Sequence, residues 1–179
     1  GKRHPMQGKE IDWIDGDYVL RNEEVVAVIA RPSAKRHANM TVRSVGACII
    51  DFTRLDAESD QLSCYYPLAG RYQFFDEGLV ETGELDGGGV FWRCRSTAAT
   101  ARNETVATIE YQLRDGDPYL TVIKTVTGED VSKVTAADSV RADQTFVVGT
   151  IANTTTGYCE DEHFRQTYGF EAAKGEKTP

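Results

Sequence analysis

The stretch TVATIEYQLRDGDPYLTVIKTV, residues 105–126, decides the fold class. When successive side chains alternate, Ala107, Ile109, Tyr111 and Leu113 fall on one side of its first half. Val106, Thr108, Glu110 and Gln112 fall on the other. In the second half Leu120, Val122 and Val126 share a side with Lys124, opposite Tyr119, Thr121, Ile123 and Thr125. A period of two belongs to a strand and makes a poor helix. Between the halves, Arg114-Asp115-Gly116-Asp117-Pro118 suits a chain reversal. Glycine accepts positive φ, aspartate bonds its own backbone, and proline cannot extend a ladder. The stretch predicts a β-hairpin and an all-β domain around it.

Working outward, residues 18–21 and 25–30 read as a strand pair joined by the turn Asn22-Glu23-Glu24. Residues 41–45 and 47–52 read as further strands separated by a break at Gly46, and 53–63 as an acidic, serine-containing loop. Strands at 79–82 and 90–96 flank Glu84-Leu85-Asp86-Gly87-Gly88-Gly89, the strongest breaker in the chain. Residues 134–140 and 145–151 complete the series. About ten to twelve strands at this spacing predict an antiparallel β-sandwich. One helix is expected, over 160–168: acidic residues open it, Arg165 sits late, Gly169 follows, and Phe164 and Tyr168 are four apart. The expected organisation is an irregular segment over 1–16, a single sandwich domain over 17–170, and a linker-like tail over 171–179.

Composition narrows the partners. The 179 residues are enough to bury a core without staples. With 20 basic against 28 acidic residues the net charge is −8, which disfavours nucleic acid because phosphate binding needs a positive field. The local basic cluster Arg31, Lys35, Arg36 and His37 reads as a solvated loop beside Pro32. No apolar run reaches the ~20 residues that span a bilayer as a helix. Gly1 in place of Met is what a cleaved fusion leaves, and the tail resembles a linker. The reading therefore expects an exported protein, secreted, periplasmic or at the cell surface, with its signal removed and with neighbouring domains in a longer parent chain.

Cys48, Cys64, Cys94 and Cys159 form no C-x-x-C pair, so no zinc site of that spacing is expected. Cys48 and Cys94 stand in apolar strand-like runs, which favours free thiols over bridges. Asn39, Asn103 and Asn153 stand in N-x-T triplets; strand-rich sequences also produce these because strands favour threonine. The densest set of potential ligands is Cys159-Glu160-Asp161-Glu162-His163, where Cys159 and His163 would share a face on a helix. Its simpler reading is an acidic first helical turn. Asp115, Asp117, Glu129 and Asp130 match no EF-hand loop, and the Gly87–Gly89 run lacks the Lys-Ser/Thr of a phosphate loop. No metal, no cofactor and no catalytic residue is predicted.

Aromatic residues supply the binding candidates. Tyr65, Tyr66, Tyr72, Phe74 and Phe75 crowd one region around Arg71, while Phe91 and Trp92 lie between other residues of a strand with Arg93 and Arg95. Because strand faces alternate, Tyr65 and Tyr66 cannot both point inward, nor can Phe91 and Trp92. Aromatic faces stack on sugar rings and charged groups bond the hydroxyls. The candidate ligand-binding set is Tyr65, Tyr66, Arg71, Tyr72, Trp92 and Arg93, and the candidate ligand a carbohydrate.

The segments VLRN (19–22), VVAVIA (25–30) and VGACIIDF (45–52), with the hairpin over 106–128, resemble galactose-mutarotase-like domains. In those domains a first strand ends in Asn, a hairpin follows, and then a Gly and an outward-turning strand. The resemblance covers residues 18–128 and implies a supersandwich, two large antiparallel sheets packed face to face. Similar segments also look like amino-terminal modules of large secreted bacterial proteins. Mutarotase-like enzymes are longer and use two histidines with a late carboxylate. This chain has only His4, His37 and His163, none on a central strand, so the resemblance implies a fold and a sugar ligand but no catalytic residue. Two functional readings stand: a noncatalytic module for carbohydrate binding or inter-domain packing, and a sugar-modifying enzyme of mutarotase-like or lyase-like type.

Overall fold

The structure, a computed structural model, describes residues 8, 10–57, 59–97, 106–127, 138–142, 146–152 and 156–171. The quoted hairpin forms as read. Strand β7 (Val106–Leu113) pairs antiparallel with β8 (Thr121–Thr127), with Tyr111 opposite Val122. Ala107, Ile109, Tyr111 and Leu113 are all buried, which places the apolar side of the alternation in the core. β5 (Val80–Glu84) and β6 (Val90–Arg95) extend this into a four-stranded sheet of order β5-β6-β7-β8.

A second sheet packs on it. Its order is β1-β2-β3-β4-β9, from β1 (Tyr18–Arg21), β2 (Val25–Ile29), β3 (Ile49–Arg54), β4 (Leu62–Tyr66) and β9 (Ser139–Ala142). A third sheet, β10 (Phe146–Thr150), β11 (Thr156–Asp161) and β12 (Gln166–Glu171), docks beside them. Every ladder pair is antiparallel, so the fold is an all-β antiparallel sandwich. The main core joins Leu20, Val25, Ile29, Ile49, Leu62 and Tyr65 of one sheet to Trp92, Cys94, Ile109, Tyr111 and Leu113 of the other, with Cys159 and Tyr168 from the third. Tyr111 crosses the interface to donate from its hydroxyl to the Ala47 carbonyl at 2.8 Å. Asn22 ties the two hairpin ends together. Its Nδ2 donates to the Arg114 and Asp117 carbonyls at 2.8 Å, and its Oδ1 accepts from the Glu24 and Val25 amides at 2.9 Å.

The five-stranded sheet is covered on its other side too. Val26, Val28, Ala30, Ile50 and Cys64 meet Val42, Val45 and Cys48 of the 31–48 loop, with Trp13 packed against them. A bulge between Val28 and Ile29 lets Ile49 pair with Ile29 while Asp51 pairs with Val28. Opposed residues in an antiparallel ladder share a face, so the bulge aims Asp51 into this second layer.

Three expectations are corrected. Residues 160–168 are not a helix: they close a β11–β12 hairpin in which Cys159 pairs with Tyr168. Asp161 Oδ1 accepts from the His163 and Phe164 amides at 2.9 Å, and Arg165 adopts a φ of 55°, so the acids begin a turn instead of a helix. The only helical elements among the described residues are two short 3₁₀ turns, Pro67–Gly70 and Glu77–Leu79. Residues 41–45 form no strand; Asn39 Oδ1 accepts from the Thr41 and Val42 amides and coils the chain back. The loop expected over 53–63 is shorter, because β3 runs to Arg54 and β4 begins at Leu62. Most of the strand expected over 134–140 and the triplets at Asn103 and Asn153 lie outside the described residues.

Candidate functional site

The outer face of the four-stranded sheet is the candidate site. The register places Thr82 opposite Trp92 and Trp92 opposite Tyr111, a row whose Trp92 and Tyr111 point into the core while Thr82, on the edge strand, is exposed. The neighbouring rows point outward: Gly83, Phe91, Gln112 and Thr121 in one, Glu81, Arg93, Glu110 and Ile123 in the next. The Phe91 ring lies on Gly83, where an added Cβ would sit 2.6 Å from a ring carbon; only glycine leaves the ring that seat. The Arg93 guanidinium stands 5.1 Å from the centroid of that ring.

Arg93 is held in place by carboxylates on both flanks. Its Nε donates to Glu110 Oε2 and its NH1 to Glu81 Oε2 at 3.1 Å. The Glu110 carboxylate beside it raises the guanidinium pKa further above its ordinary value. Gln112 Nε2 donates to the other oxygen of Glu110. An aromatic ring, a fixed guanidinium, two carboxylates and an amide thus lie on one face in a fixed order. Such a face can stack an apolar ring surface and offer both donors and acceptors to hydroxyls.

The six predicted residues do not converge. Trp92 is fully buried, edge-on to Tyr18 at 5.5 Å and stacked on Tyr111 at 5.7 Å, so it is core and no ligand platform. Tyr65 is buried as well, stacked on Phe170 at 6.0 Å, with its hydroxyl donating to Asp138 Oδ2 at 2.8 Å. Tyr66 points to the opposite side of β4, where its hydroxyl donates to the Arg43 carbonyl and Arg141 stands 6.0 Å from its ring. Arg71 is exposed, its Nε donating to the Leu68 carbonyl at 3.2 Å, and Tyr72 packs half-buried on the main core. Only Arg93 belongs to the outer face. Phe91, Glu81, Glu110 and Gln112 were not in that set. The signal that finds them is the alternation itself: once Trp92 is inward, its neighbours and their cross-strand partners are outward.

The hairpin over 156–171 separates Cys159 from His163. Cys159 is buried in the core, and burial pushes its thiol up to about 11, while His163 lies in the turn against Phe164. Cys48, Cys64 and Cys94 are likewise buried free thiols.

A different cluster is hidden under the 8–17 segment. Asp51 and Asp60 are both fully buried and their carboxyl groups face each other. Burial raises Asp51 to about 7 and raises Asp60 well above the usual carboxylate range. Asp12 above them is raised to about 6 by burial and by Glu10. Asp17 instead meets Arg36 in a sealed pair at 2.6 Å. The Asp51 and Asp60 carboxyls have no exposed surface on which a substrate could bind. Comparison with protein-family models, with curated proteins and with solved structures found no match.

Proposed function

We propose that this chain is a noncatalytic binding module whose ligand is a carbohydrate, held on the outer face of the four-stranded sheet. The carrying observation is the Phe91–Arg93–Glu110–Gln112 array, whose side chains fix one another before any ligand arrives. Pre-ordered polar groups lose little entropy on binding, and the ring supplies a stacking surface. The noncatalytic reading draws on the contrast with Asp51 and Asp60, since a general acid needs its raised pKa in an open cleft. A glycan-array screen, followed by calorimetry on each hit, tests it. A saccharide bound by the wild type and lost in Phe91→Ala supports the reading; a blank array, or a hit indifferent to Phe91→Ala and Arg93→Ala, overturns it.

Packing against a neighbouring domain is the second reading, and β10 favours it. This strand ends its sheet, and Val147 and Val148 on it are 49% and 79% exposed. Among the described residues no strand pairs with its free edge, and such an edge carrying exposed valines suits an interaction surface. Val148→Lys would leave the isolated domain folded and abolish docking of an adjoining domain supplied in trans.

A further inference from the structure

The Asp51–Asp60 pair has no role in the proposed site, yet three separate parts of the chain meet on it. From the 8–17 segment, the Asp12 amide donates to Asp51 Oδ1 at 2.9 Å, and the Glu10 amide donates to the Asp60 carbonyl. Gly8 lies so close to Asp60 that a Cβ would fall 2.3 Å from the Asp60 nitrogen. From the five-stranded sheet, the Phe52 and Leu62 amides both donate to Asp60 Oδ1 at 3.2 Å. From the third sheet, the Tyr168 hydroxyl donates to the same oxygen at 2.9 Å while accepting from the Gln61 amide at 3.0 Å. The remaining oxygens, Asp51 Oδ2 and Asp60 Oδ2, are buried with no donor. Two interacting carboxylates in the interior, each with a bare oxygen, repel each other and lack solvation. One proton between them supplies the missing hydrogen bond and removes one charge.

We propose that a proton shared by the Asp51 and Asp60 carboxyls latches the 8–17 segment, the five-stranded sheet and the β10–β12 sheet together, and that removing it with base loosens the segment and the sheet from the sandwich. The surroundings reinforce the proton. Asp12 and Asp17 act on Asp51 from the segment, and Glu10 on Asp12, and the negative charge of Asp12 and Asp17 opposes a second ionisation. Arg36, the buried cation among the described residues, is committed to Asp17 and to the carbonyls of Asp12 and His37. Glu10 accepts from Ser63 Oγ at 3.1 Å, and Asn39 donates to the Asp12 carboxylate at 3.4 Å. Tyr168 is itself held protonated by burial and by Asp60, so it remains a donor across this range.

The direction follows from linkage. Because the folded pKa of Asp51 is raised from 3.8 to about 7, the folded chain holds more protons than the unfolded one between those values. Stability from the pair is fully present below the lower value and is lost as pH rises through the upper one. Asp12, raised to about 6, adds a smaller slope of the same sign.

Thermal unfolding of the whole chain across pH, with carbonyl-carbon NMR of the aspartates, tests the proposal. The wild-type Tm is expected to fall by roughly 10 °C between about pH 5 and about pH 8. Asp51→Asn, whose amide donates at every pH, flattens the upper part of that fall. Asp12→Asn keeps it. Amides of Asp12, Gln61 and Leu62 exchange faster above neutrality than base catalysis alone predicts. Should Asp51→Asn not fold, the wild-type NMR titration still decides. A carboxyl signal titrating near neutrality upholds the latch. Two aspartates titrating at ordinary acid values, a flat Tm, or an undiminished fall in a folded Asp51→Asn each overturn it.

Discussion

The two large sheets present opposite solutions for their outer faces. The five-stranded sheet is roofed by the 8–17 segment and the 31–48 loop, and carries a second apolar layer with Asp51, Asp60 and Asp17 sealed inside it. The four-stranded sheet leaves its outer face to solvent and lines it with Phe91, Arg93, Glu110 and Gln112. Charge in the roofed layer must be neutralised, by a proton between Asp51 and Asp60 or by Arg36 on Asp17. Charge on the open face is paired on Arg93, which stands between the exposed Glu81 and the largely buried Glu110. The difference teaches that similar strand patterning yields either a second core or an open polar face, depending on whether a loop is long enough to fold over it.

Trp92→Ala attacks the core that both sheets share, and should have the largest effect. A fully buried indole that contacts Tyr18 and Tyr111 costs about 3–5 kcal/mol when truncated. Denaturant unfolding measures this, and a loss under about 1 kcal/mol would return Trp92 to the surface. Asn22→Ala removes four hydrogen bonds, two that hold the β1–β2 turn to the β7–β8 turn and two within the β1–β2 turn. A loss of about 2 kcal/mol is expected, with no change in ligand binding, by the same measurement.

Phe91→Ala sharpens the comparison from the other side. The ring is only half-buried, so stability should drop by about 1 kcal/mol or less, while saccharide affinity measured by calorimetry disappears. Arg93→Ala should cost about 1 kcal/mol, because its pair with exposed Glu81 contributes little while the largely buried Glu110 carboxylate keeps only Gln112 as a donor. Its affinity loss should still exceed tenfold. Equal stability losses for Phe91→Ala and Trp92→Ala would dissolve the distinction between the two sides of β6.

Much of the sandwich is legible in the chain, and the exceptions are instructive. The alternation in residues 106–113 names Ala107, Ile109, Tyr111 and Leu113 as buried correctly, because a long strand leaves only two faces to choose between, but it misses that Glu110 on the other face is buried as well. The same rule shows that Phe91 and Trp92 part company but not which goes inward. That depends on the pairing of Trp92 with Tyr111, a contact across strands. Residues 160–168 carry helix-like end signals, yet Tyr168 earns more by reaching Asp60 and the core from a strand than a short helix would by its own hydrogen bonds. Asp51 is visible as a polar residue inside an apolar run, but nothing local pairs it with Asp60 or places Asp12 above it.

The sequence by itself determined the class of this protein: all-β, antiparallel, with reversals where Gly, Asn, Asp and Pro cluster, because period and turn chemistry act within a few residues. Tertiary structure alone decided which sheet is roofed, which face stays open, and where carboxyl groups meet. Those outcomes depend on contacts between residues as distant as Asp60 and Tyr168 or Asn22 and Asp117, whose energies no local pattern contains.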